Sequence, residues 1–502
     1  MGHAPILLGI DIGTQSLKVL VLSEQLRPLG LASARYETTF PHPGWAEQDP
    51  NDWLRALRPT IAAALHEADC APQAVVAIGV GGQLDGCIPT DAAGTAMGRA
   101  IIWMDRRADE ILREIDQQLV HHRTGLVPDA THMAAKIAWL QRHKPGAPAT
   151  WHQPVSFVVA ALTGARLMDR SLASTTMLAT LEAPGWDAEL CAAFGVDAAQ
   201  MPAIASAGAI AGELGQRGAA LTGLPGSCRV AVGTGDDFTN LLGSGIAVPG
   251  LVGVTLGTGE VVTALSTRPV RDPAGLVETR CFPTGHFQLG NPGWLSGGAV
   301  RWLREILAVG DDATIDALAA EVAPGADGVL FFPGLSGAMA PVWDATARAS
   351  FYGMASGHGR GHLCRALLEG SGFAMRDVVE TLAQLGPPIE SIRLVGGGAG
   401  SALWTQMRAD IAGVPVLAQV GPDASTLGAG LLAAVAGDRF AGVGDAVAAL
   451  PLTFTRYEPQ LAAKFAYDDA YGRYRLLFDR LQPVFGALLP GTASTGGSGA
   501  AS

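Results

Sequence analysis

LLGIDIGTQSLKVLVL, residues 7–22, is two apolar runs joined by an acidic turn rich in glycine and hydroxyls. Ile6 to Ile10 reads as a strand, and Val19 to Leu22 as its partner across a tight bend. Gly13 lets backbone approach a ligand closely, and Thr14, Gln15 and Ser16 offer donors to an anion. Asp11 closes the first strand with a carboxylate, and Lys18 follows within reach. This set suits a Mg²⁺-bound polyphosphate: N–H groups for oxygens, a carboxylate for the metal or its waters, and a cation nearby. Taken alone, the segment reads equally well as an ordinary hairpin with a polar turn.

Two more glycine turns shift that balance. LVGVTLGTGEVVT at 251–263 runs an apolar strand into Gly257, Thr258 and Gly259, then Glu260 and a second apolar run. In LVGGGAGSALWTQMRADIAG at 394–413, a strand ending at Val395 meets Gly396, Gly397 and Gly398, and a helix starts near Ser401, a natural N-cap. A strand–glycine–helix junction points bare N–H groups and a positive dipole end outward. The order of the three turns matches the actin-like (ribonuclease H-like) ATPase layout, in which two similar halves grip the phosphates across a central cleft. A phosphate loop ending in Gly-Lys-Ser/Thr is absent, and no turn forms a clean dinucleotide fingerprint.

At 502 residues the chain exceeds one core, so two large α/β domains are expected. With 48% hydrophobic and 16% charged residues, it is a globular protein and not a disordered one. A net charge of −12 favours neither nucleic acid nor an anionic membrane as partner. Any phosphate must therefore be met by local N–H groups and a metal. The six cysteines lack C-x-x-C spacing and read as buried thiols in a reducing compartment. No signal segment and no eighteen-residue apolar run is evident, so a cytoplasmic protein is expected. A homodimer is allowed by the sequence but not required.

Residues 1–247 form the expected first domain, with a helix around Asp52–Ala68, a strand at Ala74–Val80, a long helix near Asp105–Leu119, a helix around Thr131–His143 and a strand at Arg229–Val232. Val248-Pro249-Gly250 marks the boundary. The second domain, 248–488, repeats the strand–turn–strand opening, with helices near Gly298–Ala308, Asp312–Val322 and Arg360–Leu385. A final helix pair, Ala424–Val435 and Gln460–Leu481, is expected to close the fold. The Gly/Ser/Ala/Thr-rich stretch 489–502 reads as a disordered tail.

Arg229-Val-Ala-Val-Gly-Thr-Gly-Asp236-Asp237 is a strand, a glycine turn and two acids opening a helix. Phosphoryl transfer to an alcohol needs a carboxylate to take the hydroxyl proton. Asp236 is placed for that work, although an Asp at this position also serves as a plain helix cap. Ala77-Ile-Gly-Val-Gly-Gly-Gln83-Leu84-Asp85-Gly offers polar groups for sugar hydroxyls, or a simple polar turn. Trp103-Met-Asp105-Arg-Arg107 offers an aromatic ring and an acid–base pair, and ligand contact and a capping ion pair fit it equally. Asp49 reads as a helix cap and Trp45 as core packing. His121, His122, His132, His358 and His362 show no metal spacing and read as surface or core residues.

From about Leu7 to Leu481 these segments resemble the FGGY family of carbohydrate kinases, and within it the xylulokinases. DIGTQSLK is similar to the first phosphate turn, EQDP followed by Trp53 sits where the family has it, GVGGQLDG resembles the substrate turn and IIWMDRR the segment after it, VGTGDD is similar to the turn carrying the base, and VTLGTGEV to the second phosphate turn. VGGGAGSALWTQMRADIAGVPV, over the adenosine turn, is the most specific match. The resemblance implies two actin-like domains closing over MgATP. Asp236 would be the base, Asp11 would help hold Mg²⁺, Thr14 and Thr258 would line the phosphates, and Gly397, Gly398 and Ser401 would lie near the nucleoside. Gly13, Gln15, Lys18, Gly257 and Gly259 complete the expected nucleotide set; Gln83, Leu84, Asp85, Trp103 and Asp237 form the expected acceptor set.

Three departures stand out. Leu84-Asp85 replaces the usual Met-His, Asp237 replaces the Asn after the base, and Leu335-Ser-Gly-Ala338-Met339-Ala340-Pro341 lacks the usual Glu-Arg pair. Two of these add acid to the acceptor site, which favours an uncharged polyhydroxy substrate over a sugar acid or phosphate. The expected activity is ATP-dependent phosphorylation of a pentulose such as D-xylulose. Ribulose, erythritol and glycerol are the alternative acceptors, and a sugar or nucleotide sensor without turnover is the reading from another class.

Overall fold

The computed structural model describes residues 4–144, 146–386 and 389–488, so the tail expected at 489–502 lies outside the described residues. Strands β1 (Ile6–Ile12), β2 (Ser16–Ser23) and β3 (Pro28–Arg35) form an antiparallel meander. Then come β4 (Val75–Gly82), β5 (Ile210–Glu213), β6 (Arg229–Ala231) and β7 (Thr234–Gly235). The spatial order is β5-β6-β4-β1-β2-β3, with β7 also on β4; β1, β6 and β7 run parallel to β4. The second sheet uses β8 (Leu251–Leu256), β9 (Gly259–Ser266), β10 (Glu278–Cys281), β11 (Phe287–Leu295), β12 (Ser391–Val395), β13 (Val416–Val420) and β14 (Thr453–Tyr457). Its order, β10-β11-β9-β8-β12-β13-β14, repeats the plan: an antiparallel meander whose first strand lies beside a parallel pair.

The helices used below are α1 (Pro50–Glu67), α2 (Met133–His143), α3 (Asp236–Gly243), α4 (Arg360–Leu385), α5 (Ala402–Ala412), α6 (Ala424–Ala436) and α7 (Leu461–Leu481). Asp49 caps α1 by accepting from the Asn51 N–H, as its sequence suggests. No helix among the described residues is long and apolar enough to cross a membrane.

β1 is buried along its whole length because both its faces are covered. Leu8, Ile10 and Ile12 join Trp53, Leu57 and Ile61 of α1 in one core. Leu7, with Leu20 and Leu22 of β2, joins Leu427, Leu431 and Leu432 of α6 in another. α6 follows the second sheet's glycine turn in sequence, yet it roofs the first sheet and packs on α3. Glycine allows the approach. A Cβ on Gly79 of β4 would lie 1.9 Å from the Ala429 carbonyl oxygen, and one on Gly428 would lie 2.0 Å from that of Thr239. Gly79→Ala forces backbone apart and is expected to cost about 1–3 kcal/mol. A thermal melt should show a drop of roughly 3–10 °C.

The long helix expected at Asp105–Leu119 is also corrected. Two short helices, Asp109–Leu112 and Gln117–Thr124, occupy the region. Asp105 is fully buried, accepts from the Ala46 N–H and pairs with Arg107, so the chain turns there instead of coiling. Asp116 then caps a fresh helix through the Gln118 and Leu119 N–H groups.

Candidate active site

Each glycine turn ends a central strand, so the shared sheet plan brings the turns to one cleft. Asp11, Gly13 and Lys18 from the first turn, Asp236 from α3, Gly257 from the second turn, and Gly396 and Gly397 from the third line a cleft of about 430 Å³. Asp423, Ala424 and Ser425, at the N-terminus of α6, complete the wall.

Thr14, Gln15, Thr258, Gly259, Gly398 and Ser401 are not among the lining residues. The Thr14 hydroxyl accepts from the Trp103 indole N–H at 2.9 Å, which places the ring against the first turn. Gln15 is exposed, and so are Thr258 and Gly259 at the second turn. Gly398 packs on Leu256, where a Cβ would come within 2.4 Å of its Cγ. Ser401 spends its hydroxyl capping α5, accepting from the Trp404 N–H at 3.0 Å.

Asp11 and Lys18 are opposite each other in the β1–β2 register, with Nζ 4.0 Å from the carboxylate. Lys18 donates more closely to Asp423, at 2.6 Å. The Ser425 hydroxyl donates to Asp11 at 2.9 Å and also meets Thr239 at 2.8 Å. Burial, and then the Asp423 charge, push the Asp11 carboxyl up to about 6, against the pull of Lys18. Burial works against the charge on Lys18, but Asp423 and Asp11 outweigh it and its pKa rises.

Asp236 opens α3 at the end of β7, one residue past the N-cap Gly235. It therefore does not cap the helix, although its Oδ1 accepts from the Asp237 N–H at 3.0 Å. Burial, then the carboxylates of Asp237 and Asp11, raise its pKa well above the aspartate range.

The turn expected to hold the acceptor, Gln83 to Asp85, lies against Gly235, the residue before Asp236. Leu84 is buried beside Gly235 in the first core and offers no polar contact. Gln83 donates to Gln48 at 2.8 Å, and Gln48 in turn donates to the Thr14 carbonyl at 2.6 Å, so one glutamine ties this turn to the first glycine turn. Asp85 is buried with φ 60°, a left-handed conformation costly for a non-glycine residue. It is held there by the Gln153 side chain on its N–H, at 2.8 Å, and by Lys136 on its carbonyl. Burial lowers the Lys136 pKa to about 8 despite the nearby Asp85 charge. Asp105 and Arg107 form a structural pair, with Arg107 also bound to Glu47 at 2.9 Å and stacked 3.7 Å over Trp45.

Sequence reasoning missed His132, Glu278 and Arg280. His132 immediately precedes α2, and its ring lies 3.3 Å from Asp85 and 3.4 Å from Glu278. Burial opposes its charge, but those carboxylates push its pKa up to about 10. Arg280 donates to Glu278 at 2.6 Å and to Asp237 at 2.8 Å. β10, which carries both residues, belongs to the second sheet, yet it docks on the first domain where Thr279 N–H donates to the Gly125 carbonyl. The available signal was the i, i+2 spacing of two charges within a buried strand.

Residues 6–243 match the N-terminal domain of the FGGY family of carbohydrate kinases, and residues 252–437 match its C-terminal domain. The chain belongs to the FGGY family. It is 32% identical to the glycerol kinase of Thermococcus onnurineus, over 87% of this chain and 90% of that one. The crystal structure of a xyloylose kinase from Brucella ovis superposes with a TM-score of 0.88 at 30% identity, covering 95% of this chain and 100% of that one. The xylulose kinase of Rhodospirillum rubrum gives 0.84, also at 30% identity, with 95% and 99% coverage. The protein is thus a carbohydrate kinase with the actin-like fold, from a family that is ATP-dependent and takes a small sugar or polyol.

The carboxylates fit magnesium brought in with a nucleotide. Asp11 and Asp236 face the same cleft, and Lys18 is committed to Asp423. Among the described residues no group of three or more His, Cys, Asp or Glu gathers closely enough to hold an ion alone. One or two carboxylates completed by phosphate oxygens is how Mg²⁺ is usually held at such sites.

Proposed function

We propose that the chain transfers the γ-phosphoryl group of ATP to a terminal hydroxyl of a small uncharged ketose or polyol, with Asp236 as the general base. The observation that carries this reading is the position of Asp236: on the cleft lined by all three glycine turns, and adjacent to Asp237 of the acceptor set. Its carboxylate takes the proton of the acceptor hydroxyl as that oxygen bonds to phosphorus and the bond to the departing ADP oxygen breaks. Gly13, Gly257 and Gly397 let backbone approach the phosphates, and closure of the two domains orients the acceptor and excludes water. Asp11 would hold magnesium, which when bound supplies charge neutralisation on the phosphates.

A pentulose such as D-xylulose is the first acceptor to test, on the strength of the substrate-turn resemblance and the xylulose kinase fold neighbours. Glycerol is the second, because relatives at 32% and 33% identity carry that activity in their names. A coupled ADP assay over D-xylulose, D-ribulose, erythritol and glycerol ranks them by kcat/KM. ADP release that none of these stimulates overturns the proposal.

The base has a predictable pH signature. Asp236 acts only when ionised, and its surroundings raise its pKa, so the acid limb of kcat/KM lies above the ordinary aspartate range. Asp237→Asn removes one neighbouring negative charge, which favours ionisation of Asp236 and moves that limb to lower pH. A pH–rate profile of the two proteins checks the direction.

A further inference from the structure

Five ionisable side chains form a chain of alternating charge behind the candidate base: Asp85, His132, Glu278, Arg280 and Asp237. The links are 3.3, 3.4, 2.6 and 2.8 Å. The first domain supplies both ends and His132; β10 of the second sheet supplies Glu278 and Arg280. Exposure is only 5% at Asp85, 3% at His132, 1% at Glu278 and 7% at Arg280. Three atoms of the chain are buried with no hydrogen-bond partner among the described residues: Asp85 Oδ1, His132 Nδ1 and Arg280 Nε; of these, Nδ1 is still ion-paired, 3.3 Å from Asp85 Oδ2. A buried acceptor and a buried donor left unpaired are costly, and a ligand that pairs both repays that cost.

We propose that Glu278 and Arg280 complete the acceptor site from the second domain and decide its specificity, selecting an uncharged acceptor with neighbouring hydroxyls and rejecting one that carries a carboxylate. The inference rests on the kinase reading above and names the residues that set its substrate class. A carboxylate only accepts and a guanidinium only donates, whereas a hydroxyl does both. Adjacent hydroxyls can therefore give to Asp85 and take from Arg280 at once. With Asp236 ionised beside Asp237, four carboxylates (Asp85, Glu278, Asp237 and Asp236) face three cations (His132 when protonated, Arg280 and Lys136), which leaves one surplus negative charge. An anionic acceptor entering this buried group meets repulsion, because Arg280 and His132 are already paired with carboxylates and Lys136 spends its donors on the Asp85 and Thr131 carbonyls. The left-handed backbone at Asp85, pinned by Gln153 and Lys136, holds the first carboxylate in place.

The test compares the full-length protein with Glu278→Gln, which keeps shape and removes charge, using D-xylulose, glycerol and D-gluconate as acceptors. The wild type should prefer a neutral acceptor to D-gluconate by about a hundredfold or more in kcat/KM. In Glu278→Gln the KM for the preferred neutral acceptor should rise about tenfold and the preference against D-gluconate should shrink about tenfold. The KM for MgATP should stay within about twofold, since a residue of the acceptor site alone leaves nucleotide binding intact. Arg280→Lys keeps the charge but loses the two-pronged geometry, and should also raise the acceptor KM about tenfold. It carries the test if Glu278→Gln fails to melt cooperatively. Unchanged acceptor KM and unchanged preference in a natively melting variant overturn the proposal while leaving the kinase reading standing. A wild type inert towards every neutral acceptor overturns both.

Discussion

Asp236→Asn is expected to lower kcat by about two to four decades while leaving ATP and acceptor binding near normal. The substitution is nearly isosteric. The introduced amide would keep an oxygen to accept from the Asp237 N–H, so the start of α3 should hold its shape. It would lose the ability to take a proton. It would also place no new negative charge beside Asp11 and Asp237, so that any weakening of binding cannot be blamed on a newly protonated neighbour. Steady-state assays with isothermal titration of ATP and acceptor separate the chemical step from binding. Turnover retained within tenfold removes Asp236 from the role of base.

Arg408→Met is expected to cost about 3–5 kcal/mol, the usual penalty for stranding a buried charge. Arg408 on α5 and Glu260, directly after the second glycine turn, are both completely buried. The guanidinium donates to Glu260 at 2.8 Å and to Ser371 of α4 at 3.2 Å, and lies 4.8 Å over the Trp404 ring. Removing it leaves a carboxylate in the core with only the Ser371 hydroxyl, 2.8 Å away, to satisfy it. A fall in melting temperature of about 10 °C is the readout. Because Glu260 anchors the end of the Gly257–Gly259 turn, the KM for ATP should rise as well. The double variant Glu260→Leu/Arg408→Met removes both charges and should melt above Arg408→Met. A single variant that melts with the wild type would show that the pair is not what holds this turn.

The parts of the fold that the sequence makes plain are those fixed by local chemistry. The β1–β2 and β8–β9 hairpins show as apolar runs on either side of glycine, and α4 shows from Arg360 to Leu385 as a long run without proline, although it is buried on every side from Cys364 to Met375. Ser401 shows as a cap because capping is decided within four residues. The parts that escape are set at long range. Gly79 and Gly428 look like loose backbone in sequence, but in space Gly79 is where strand β4 meets α6, some 350 residues further on, and Gly428 is where α6 meets α3. Asp105 looks like a helix opener, and its burial against Ala46 and Arg107 is what turns the chain instead. His132 has no motif around it, and only the fold brings Asp85 and Glu278 to its two nitrogens. Charges at Glu278 and Arg280 belong to one domain by sequence and serve the other by position.

The placement of α6 has a consequence for biosynthesis. The first sheet emerges from the ribosome early, but the helix that covers Leu7, Leu20 and Leu22 starts about 180 residues after α3 ends. At about 5–20 residues per second the apolar underside waits roughly ten to forty seconds for its roof. Nascent chains of this length should therefore be good clients for a holding chaperone. Cutting the gene at Val248 should yield an insoluble front half, rescued only when the back half is made alongside it.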